Sequence, residues 1–354
     1  MLEFFAALNR LTSLTPRRFA KLLKFFANDA EKIWHAEKSA WLAAGLEAKI
    51  VAKLWTQKAA IKPDFEFARL KKIGVQVVPI TAEAYPLLLR EIYDPPPVLL
   101  VRGKLQIPHF ALAIVGTRRP SAYGRQATLE ITRELAGTGV TIVSGLAFGI
   151  DALAHATALQ VGGHTLAVLG SGIGEIYPSR NQQLAENILQ AGGALISEYP
   201  LETEIAAYNF PQRNRIIAGL ARGVVVVEAR ARSGSLITAK LALEQGREVF
   251  AVPGSIFVET SVGTNNLIAE GARPITSEIL ASFKLEHLPA PVQNLEPLTP
   301  REEAFLKILT QEPQMVDLII QASLLPANQV ATILSLLELK GWAKNLGGGL
   351  WVRV

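Results

Sequence analysis

The sequence predicts an α/β fold in which a doubly wound, mostly parallel sheet spans residues 76–284, between a helical domain and a smaller C-terminal domain. From Phe110 onward, short β-branched runs alternate with amphipathic stretches of about 10–14 residues. The short runs are apolar along their whole length, as is typical of strands that helices cover on both faces. Prolines then accumulate over residues 285–299 and separate the last 55 residues from the rest.

Residues 1–75 predict a domain of several short helices. Leucines and phenylalanines supply apolar faces, and lysines and arginines fill the intervening positions. This stretch holds 14 Lys and Arg against 7 Asp and Glu. These counts give it a net charge of +7, which exceeds the net charge of +5 for the whole chain. Basicity is therefore concentrated at the N-terminal end.

The central region reads as six strands with helices between them. The predicted strands are Ala111–Val115, Val140–Ser144, Thr165–Leu169, Ala194–Ser197, Val224–Glu228 and Glu248–Val252. The predicted helices are Gly124–Ala136, Ile150–Gln160, Arg180–Gln190, Gln212–Leu220 and Leu236–Gln245. Repeated strand–helix units of this kind build a parallel sheet that is wound in both directions.

The C-terminal part reads as a proline-stiffened linker, residues 285–299, followed by a compact domain over 300–354. That domain predicts three helices and a closing hairpin around Gly347–Gly349, which is the outline of a winged helix. Its third helix, Ala327–Leu339, contains no arginine or lysine. Because base reading in a groove needs such donors, we expect this domain to contact a protein.

Composition excludes several classes of protein. Cysteine is absent, which excludes disulfides, cysteine–zinc sites, iron–sulfur clusters and thiol catalysis. The five histidines are scattered without a His-x-x-x-His pair, so we expect no metal site. No apolar run approaches 18 residues, and an early acid replaces the basic start of a secretory signal. We therefore expect a cytoplasmic protein without a membrane segment.

The loops that follow the predicted strands combine glycines, hydroxyls and arginines. Ligands of doubly wound sheets bind at the carboxyl ends of the strands, where glycine permits close approach and helix N-termini hold anions. Cations spread over three loops suit a polyanion, and an aromatic ring among arginines is typical of single-strand binding. The candidate binding residues are Gly116, Thr117, Arg118, Arg119, Gly145, Gly170, Ser171, Phe210, Arg213, Asn214, Arg215, Ser233, Gly234, Ser235 and Thr238.

Structural alternatives exist for several of these residues. One alternative is that Arg118 and Arg119 are solvated loop charges. For Phe210 the alternative is a core side chain under its loop, and for the Gly170–Gly174 cluster it is a tight turn. Asp151 and His155 lie four apart on a helix, as an acid–base pair would, but a capping aspartate and a structural histidine are the favoured interpretation. Glu198 and Glu228 end strands and are either general bases or, as we favour, partners of rim arginines.

Familiar nucleotide and hydrolase motifs are absent from the sequence. There is no Gly-x-x-x-x-Gly-Lys-[Ser/Thr] motif and no Gly-x-Ser-x-Gly elbow. The glycine cluster follows the third strand and does not read Gly-x-Gly-x-x-Gly, so a nicotinamide site is poorly supported.

Five segments, in order, are similar to the DNA-processing protein A family (DprA, also called Smf). They are Ile114–Ser121, Ser144–His155, Ser197–Pro200, Phe210–Leu220 and Ser233–Ala239. The resemblance runs from about Tyr85 to Leu280, and the motifs are specific when taken together.

The resemblance implies a Rossmann-like domain that binds single-stranded DNA without hydrolysing it, with no catalytic residue, metal or cofactor. It also implies a homodimer and the loading of RecA recombinase onto incoming DNA during natural transformation. By motif, DNA contact is carried over to Arg118, Phe210, Arg213 and the Ser233–Ser235 turn. The C-terminal domain resembles the winged helix of the family.

The N-terminal helices resemble a helix-hairpin-helix or SAM-like domain, although Leu14–Arg17 replaces the expected Gly-x-Gly hairpin. Two other functions stay open. The first is a nucleotide phosphoribohydrolase of the related lysine-decarboxylase-like fold, in which Leu241 would occupy the place of the catalytic glutamate. The second is a regulatory or duplex-binding module that acts through the basic N-terminal helices.

Overall fold

The computed structural model describes residues 1–107, 110–276, 279–280, 298–310, 314–323, 325–340, 342–347 and 349–353. The chain divides into two compact units, Met1–Glu286 and His287–Val354. The predicted linker over 285–299 lies, apart from its last two residues, outside the described residues.

Six helices open the first unit, and each buries one apolar face. They are α1 (Leu2–Asn9), α2 (Pro16–Phe25), α3 (Ala30–His35), α4 (Lys38–Ala43), α5 (Ala48–Ala59) and α6 (Pro63–Lys72). Proline begins α2 and α6, where its missing N–H costs nothing. Asp29 caps α3 by accepting a hydrogen bond from the Lys32 amide at 3.0 Å.

A nine-stranded sheet follows, and seven of its strands are parallel neighbours: the six predicted strands and one more. The strands are β1 (Val75–Pro79), β2 (Val98–Gly103), β3 (Ala111–Val115), β4 (Thr141–Ser144), β5 (Thr165–Val168), β6 (Ala194–Ser197), β7 (Gly223–Val226), β8 (Glu248–Ala251) and β9 (Arg273–Pro274). Their order is β1-β2-β6-β5-β4-β3-β7-β8-β9, and only the β1–β2 and β2–β6 pairs are antiparallel. In register, Val143 of β4 lies between Ala113 and Leu166. The sequence did not predict β1, β2 or β9.

Helices cover both faces of this sheet, which confirms the doubly wound arrangement. They are α7 (Leu87–Arg90), α8 (Ala122–Gly137), α9 (Ile150–Gln160), α10 (Gln182–Gln190), α11 (Asn209–Leu220), α12 (Gly234–Glu244) and α13 (Val262–Ala269). Alternate residues of β3 show the two faces. Leu112 and Ile114 pack in one cluster with α8 and α9, and Ala113 packs in another with α11 and α12.

The N-terminal helices share a core with one end of the sheet. Leu8 and Trp41 belong to the same buried cluster as Val98, Leu100 and Leu169. The predicted boundary at residue 75 coincides with the start of β1, but both sides of it lie in one compact unit. A separate domain over residues 1–75 stays a prediction.

The second unit has the architecture of a winged helix. Its elements are α14 (Pro300–Leu306), β10 (Gln314–Met315), α15 (Val316–Ser323), α16 (Ala327–Leu339), β11 (Ala343–Gly347) and β12 (Leu350–Arg353). The strands pair in the order β10-β12-β11. Thr299 and Glu302 form a capping box on α14, and Glu302 also accepts a hydrogen bond from Lys340 at 2.8 Å. The predicted third helix and hairpin are confirmed.

In the described part of the chain, no single helix is long and apolar enough to span a membrane. The segments 316–323 and 327–338 meet that test only as a pair, with a bend of 110° between them.

Candidate nucleic-acid interface

A cleft of about 360 Å³ opens at the carboxyl edge of the sheet, between β3 and β7. After β3 the chain builds β4, β5 and β6 on one side, and then crosses to β7 on the other. The loops after β3 and β7 therefore diverge and leave a crevice, which is where doubly wound sheets bind ligands. The cleft is lined by Gly116, Thr117, Arg118, Phe210, Arg213, Asn214, Arg230, Arg232, Ser233, Gly234, Ser235 and Thr238, among others.

The loop after β3 presents two exposed cations at this edge. The Thr117 amide donates to the Glu228 carbonyl at 2.8 Å, and the Thr117 hydroxyl accepts from the Arg119 amide at 3.2 Å. With its backbone held in this way, the loop exposes the side chains of both Arg118 and Arg119. Ser121 ends the loop by capping α8. The exposure fits the predicted role of these arginines as phosphate ligands.

Phe210 lies half-buried in the first turn of α11, beside Arg118. The Arg118 guanidinium carbon lies 5.8 Å from the centre of the Phe210 ring, and the Tyr177 ring centre lies 5.4 Å away. Gly170 makes room for the ring, because a Cβ there would lie 2.6 Å from Phe210 Cδ1. Gly170 is thus required by packing, and Phe210 combines a packed edge with a cleft-lining position.

The predicted phosphate contact of Arg213 needs correction. Its side chain is only 3% exposed, and Nη1 donates to the carbonyl oxygens of Gly145, at 2.7 Å, and Val168. Nε donates to Asn214 Oδ1 at 3.3 Å. Because these contacts tie the loops after β4 and β5 to α11, Arg213 forms the floor of the cleft and positions its walls.

Gly145 and Asp151 complete this buried layer. The Gly145 amide donates to Asp151 Oδ2 at 3.1 Å, and a Cβ at this glycine would lie 2.6 Å from Arg213 Nη2. Both main-chain groups of Gly145 are therefore engaged within the protein, which corrects its predicted role in binding. Burial lowers the pKa of Arg213 to about 10 and raises the pKa of Asp151, while the opposite charge of each opposes both shifts.

Arg215 and Ser171 also differ from the prediction. Arg215 is buried and pairs with Glu198 at 2.5 Å and Asp94 at 3.3 Å, in a separate groove that the N-terminal helices help to line. This ion pair confirms the favoured interpretation of Glu198. Burial raises the pKa of the Glu198 carboxyl, and the positive charge of Arg215 opposes that rise. Ser171 is buried and its hydroxyl donates to the Glu175 carbonyl at 2.7 Å, so it closes its own turn.

The turn at the start of α12 forms the opposite wall of the cleft. Ser233 caps the helix by accepting from the Ser235 amide at 3.4 Å, and its Oγ lies 2.8 Å from Ser235 Oγ. Gly234 faces open space, since a Cβ there would meet no atom within 4 Å. Asn214 Nδ2 joins this wall to α11 by donating to the Gly234 carbonyl at 3.4 Å. The helix therefore directs its positive end toward the cleft.

The remaining acidic and histidine candidates are structural. His155 is fully buried and its Nδ1 lies 2.6 Å from Thr165 Oγ1, and burial lowers its pKa to about 3. His155 thus follows the favoured interpretation, whereas the expected capping role of Asp151 is wrong: Gly149 stands at the N-cap of α9, and Asp151 instead holds the preceding loop through the Gly145 amide. Glu228 was expected to pair with an arginine, which is wrong. It accepts hydrogen bonds from the Ser121 amide at 2.9 Å and the Thr260 hydroxyl at 2.5 Å.

Comparison with known proteins identifies the family. Residues 76–284 match the model of the DNA recombination-mediator protein A family, and residues 289–349 match the DprA winged helix domain. The chain belongs to the DprA family. This confirms the resemblance found in the five sequence segments and the Rossmann-like character of the sheet.

Similar members of the DprA family are known from several bacteria. Protein Smf of Escherichia coli is 45% identical over 79% of this chain and 78% of its own length. DNA processing protein DprA of Bacillus subtilis is 42% identical over 75% of this chain and 92% of its own. The structure of DprA from Streptococcus pneumoniae superposes with a TM-score of 0.70 at 36% identity, covering 79% of this chain and 96% of that one.

A second DprA structure is connected directly with nucleic acid. DNA processing protein A from Helicobacter pylori was solved to study its single-stranded DNA binding mode. It superposes with a TM-score of 0.55 at 30% identity, covering 60% of this chain and 97% of that one.

Sequence reasoning missed three residues at the cleft of this DprA family member. Arg230 and Arg232 line the cleft with exposed side chains, and Tyr177 packs beside Phe210. From the loop after β7, the sequence predicts binding by Ser233, Gly234 and Ser235 but not by the two arginines that precede them. The alternation of arginine with small residues over 230–235 was the available signal.

Proposed function

We propose that this chain binds single-stranded DNA in the cleft between β3 and β7. The observation that carries the proposal is the pairing of exposed Arg118 with half-buried Phe210, opposite the N-terminus of α12. The cation and the positive end of the helix are groups that bind phosphate, and the aromatic face is a group on which a base stacks. The single-stranded DNA binding of the Helicobacter pylori relative supports the same assignment.

The arrangement suggests how the strand is held. Arg118, Arg119, Arg230 and Arg232 are exposed around the cleft and are available to phosphates, whereas Arg213 holds the floor. The Phe210 ring would stack one base. Affinity should then show little sequence preference, and log affinity should fall against log salt with a slope of about −0.7 per phosphate neutralised.

We further propose a non-enzymatic role in which the bound strand is passed to a RecA recombinase during DNA uptake. The competing phosphoribohydrolase needs a carboxylate near the ribose. Leu241, which would occupy the place of that glutamate, is aliphatic. The Asp151 carboxylate, which lines the cleft, accepts a hydrogen bond from the Gly145 amide. This bond leaves the Asp151 carboxylate poorly placed to act as a base.

We also propose a homodimer through residues 263–275, which would place two clefts on one strand and increase avidity. That segment contains all of α13 except Val262, together with the edge strand β9, and an edge strand offers unpaired backbone groups to a second copy. We propose that the winged-helix unit contacts a protein and that the chain acts in the cytoplasm.

Binding of a labelled strand of about 50 nucleotides tests the proposal, in a salt series and with duplex competitor. The wild-type chain is compared with Arg118→Glu, Phe210→Ala and Arg133→Glu, the last being an exposed arginine near the far end of α8. We expect strand-selective binding that the first two changes weaken and the third does not.

Equal binding to duplex and single strand would contradict the proposed mechanism. Incubation with AMP would then test the hydrolase by the release of adenine. The full-length chain would be tested for duplex binding that depends on the basic side chains of residues 1–75.

A further inference from the structure

The loop after β8 presents large apolar side chains to solvent at the same edge as the cleft. Phe257 is 91% exposed and Ile256 is 77% exposed, on a segment that runs from Pro253 to Thr260. Adjacent exposed apolar side chains of this size indicate a contact surface.

This loop is anchored at its base, so the ring is held outward. Asn265 clamps Gly254 with two hydrogen bonds: its Oδ1 accepts from the Gly254 amide at 3.2 Å, and its Nδ2 donates to the Gly254 carbonyl at 3.0 Å. Tyr123 donates from its hydroxyl to the Pro253 carbonyl at 2.7 Å. Within the loop, the Phe257 amide donates to Ser255 Oγ at 3.3 Å.

The loop is also continuous with the cleft. Arg230, which lines the cleft, lies 3.6 Å from Glu259 of the loop. Glu228 joins all three loops, since it accepts from Ser121 after β3 and from Thr260 after β8 while itself following β7. Because neighbouring strands are about 4.8 Å apart, the ends of β3 and β8 are separated by about 10 Å.

We propose that Phe257 is a second stacking platform, which binds a base of the single strand as the strand leaves the cleft across the ends of β7 and β8. This inference rests on the proposed function. The surroundings favour nucleic acid because Glu259, two residues after Phe257, pairs with the cleft-lining Arg230, and Arg232 lines the same cleft, so the loop continues from arginines that would hold the intervening phosphates. An aromatic ring on a loop joined to cleft arginines would extend the site that Phe210 and Arg118 form inside the cleft.

The test separates stacking from general apolar contact by changing only the shape of this side chain. Affinities of the full-length chain for an oligothymidylate of about 30 nucleotides are measured for Phe257→Ala, Phe257→Leu and Phe257→Trp. Phe65→Ala is the matched control, because Phe65 is 61% exposed on α6, in the N-terminal helical region. Arg118→Glu reports separately on the cleft.

We expect Phe257→Ala and Phe257→Leu each to lose about tenfold in affinity, and Phe257→Trp to keep it. Tryptophan fluorescence of Phe257→Trp should also be quenched by the strand beyond the change in the wild type, whose five tryptophans lie elsewhere. Phe65→Ala should bind as the wild type does.

Unchanged affinity of Phe257→Ala, or full affinity of Phe257→Leu, would overturn the inference while Arg118→Glu still weakens binding and the cleft assignment stands. If Phe257→Ala instead lost only binding to a recombinase, the loop would be a protein contact and the inference would be wrong. Absence of single-strand binding by the wild type would mean that the proposed function itself has failed.

Discussion

At the scale of single residues, two arginines of the same interface have opposite environments. Arg118 is exposed beside the Phe210 ring, whereas Arg213 is buried and donates to the carbonyls of Gly145 and Val168. A buried guanidinium that satisfies main-chain acceptors contributes to the free energy of unfolding, and an exposed one contributes little. Their replacement should therefore affect different quantities.

We predict that Arg118→Glu weakens single-strand binding at least tenfold and leaves the thermal midpoint of unfolding within about 1 °C of the wild type. Arg213→Gln should instead lower the free energy of unfolding by about 3 kcal/mol, because two buried carbonyls lose their donor. Calorimetry and a binding titration on both variants measure this. An unchanged midpoint in Arg213→Gln would contradict the structural role.

His155 should make stability depend on pH. Burial lowers its pKa from the ordinary 6.5 to about 3, so the unfolded chain binds a proton between these values that the folded chain does not. The free energy of unfolding should then fall as the pH falls from about 6.5 to about 3, by up to about 1.4 kcal/mol per pH unit from this group.

Denaturant unfolding at several pH values checks this, with His155→Gln compared with the wild type. The variant should have a shallower slope below pH 6.5, the ordinary pKa of histidine. Equal slopes in the variant and the wild type would disprove the assignment.

At the scale of elements, the site depends on how closely the loops after parallel strands approach the helices above them. The loop after β5 reaches α11 through Gly170, whose missing side chain leaves room for the Phe210 ring. The α12 turn is the opposite case, because Gly234 faces open space. These two glycines have different costs of substitution: Gly234 lines the cleft, whereas Gly170 is buried against the Phe210 ring.

We predict that Gly170→Ala lowers the free energy of unfolding by about 1–3 kcal/mol and also weakens single-strand binding, because the methyl group displaces Phe210. Gly234→Ala should leave stability unchanged or slightly higher, since its backbone is not in the left-handed region and no atom is close. Thermal unfolding and binding titrations distinguish the two. Similar stability losses in both variants would contradict the role assigned to the contact with Phe210 at position 170.

At the scale of the whole molecule, the parallel sheet ends in an exposed two-residue strand, β9, next to α13. If this edge joins two copies, a bulky charge on it should separate them. We predict that Ala269→Arg, at an exposed position of α13, shifts the chain from dimer to monomer in sedimentation velocity. Ala52→Arg, on exposed α5 surface, adds the same charge and should leave the dimer intact. A monomeric wild type would exclude the proposed assembly.

The elements of the fold could be predicted from the sequence because their signals are local. Apolar runs, helical periodicity and the glycines between them place β3, β6 and α9 at their observed residues, and displace β4, β5, β7 and β8 by one or two positions. The strands β1 and β2 precede the repeated strand–helix units that begin at Phe110, and they join the sheet by antiparallel pairing. The pattern of parallel units therefore does not predict them.

The carboxyl edge as the place of the candidate site, and the DprA family itself, also followed from the sequence alone, because glycines, arginines and an aromatic ring recur after successive strands. Only the tertiary structure decided which of those side chains face solvent. Arg118, Arg213 and Arg215 are chemically identical, yet Arg118 is exposed, Arg213 forms the buried floor of the cleft, and Arg215 pairs with Glu198 in a different groove. The physical reason is that a charge is buried only where carbonyls and carboxylates surround it, and the topology brings these groups together from strands that are far apart in the sequence. No local sequence pattern contains that information.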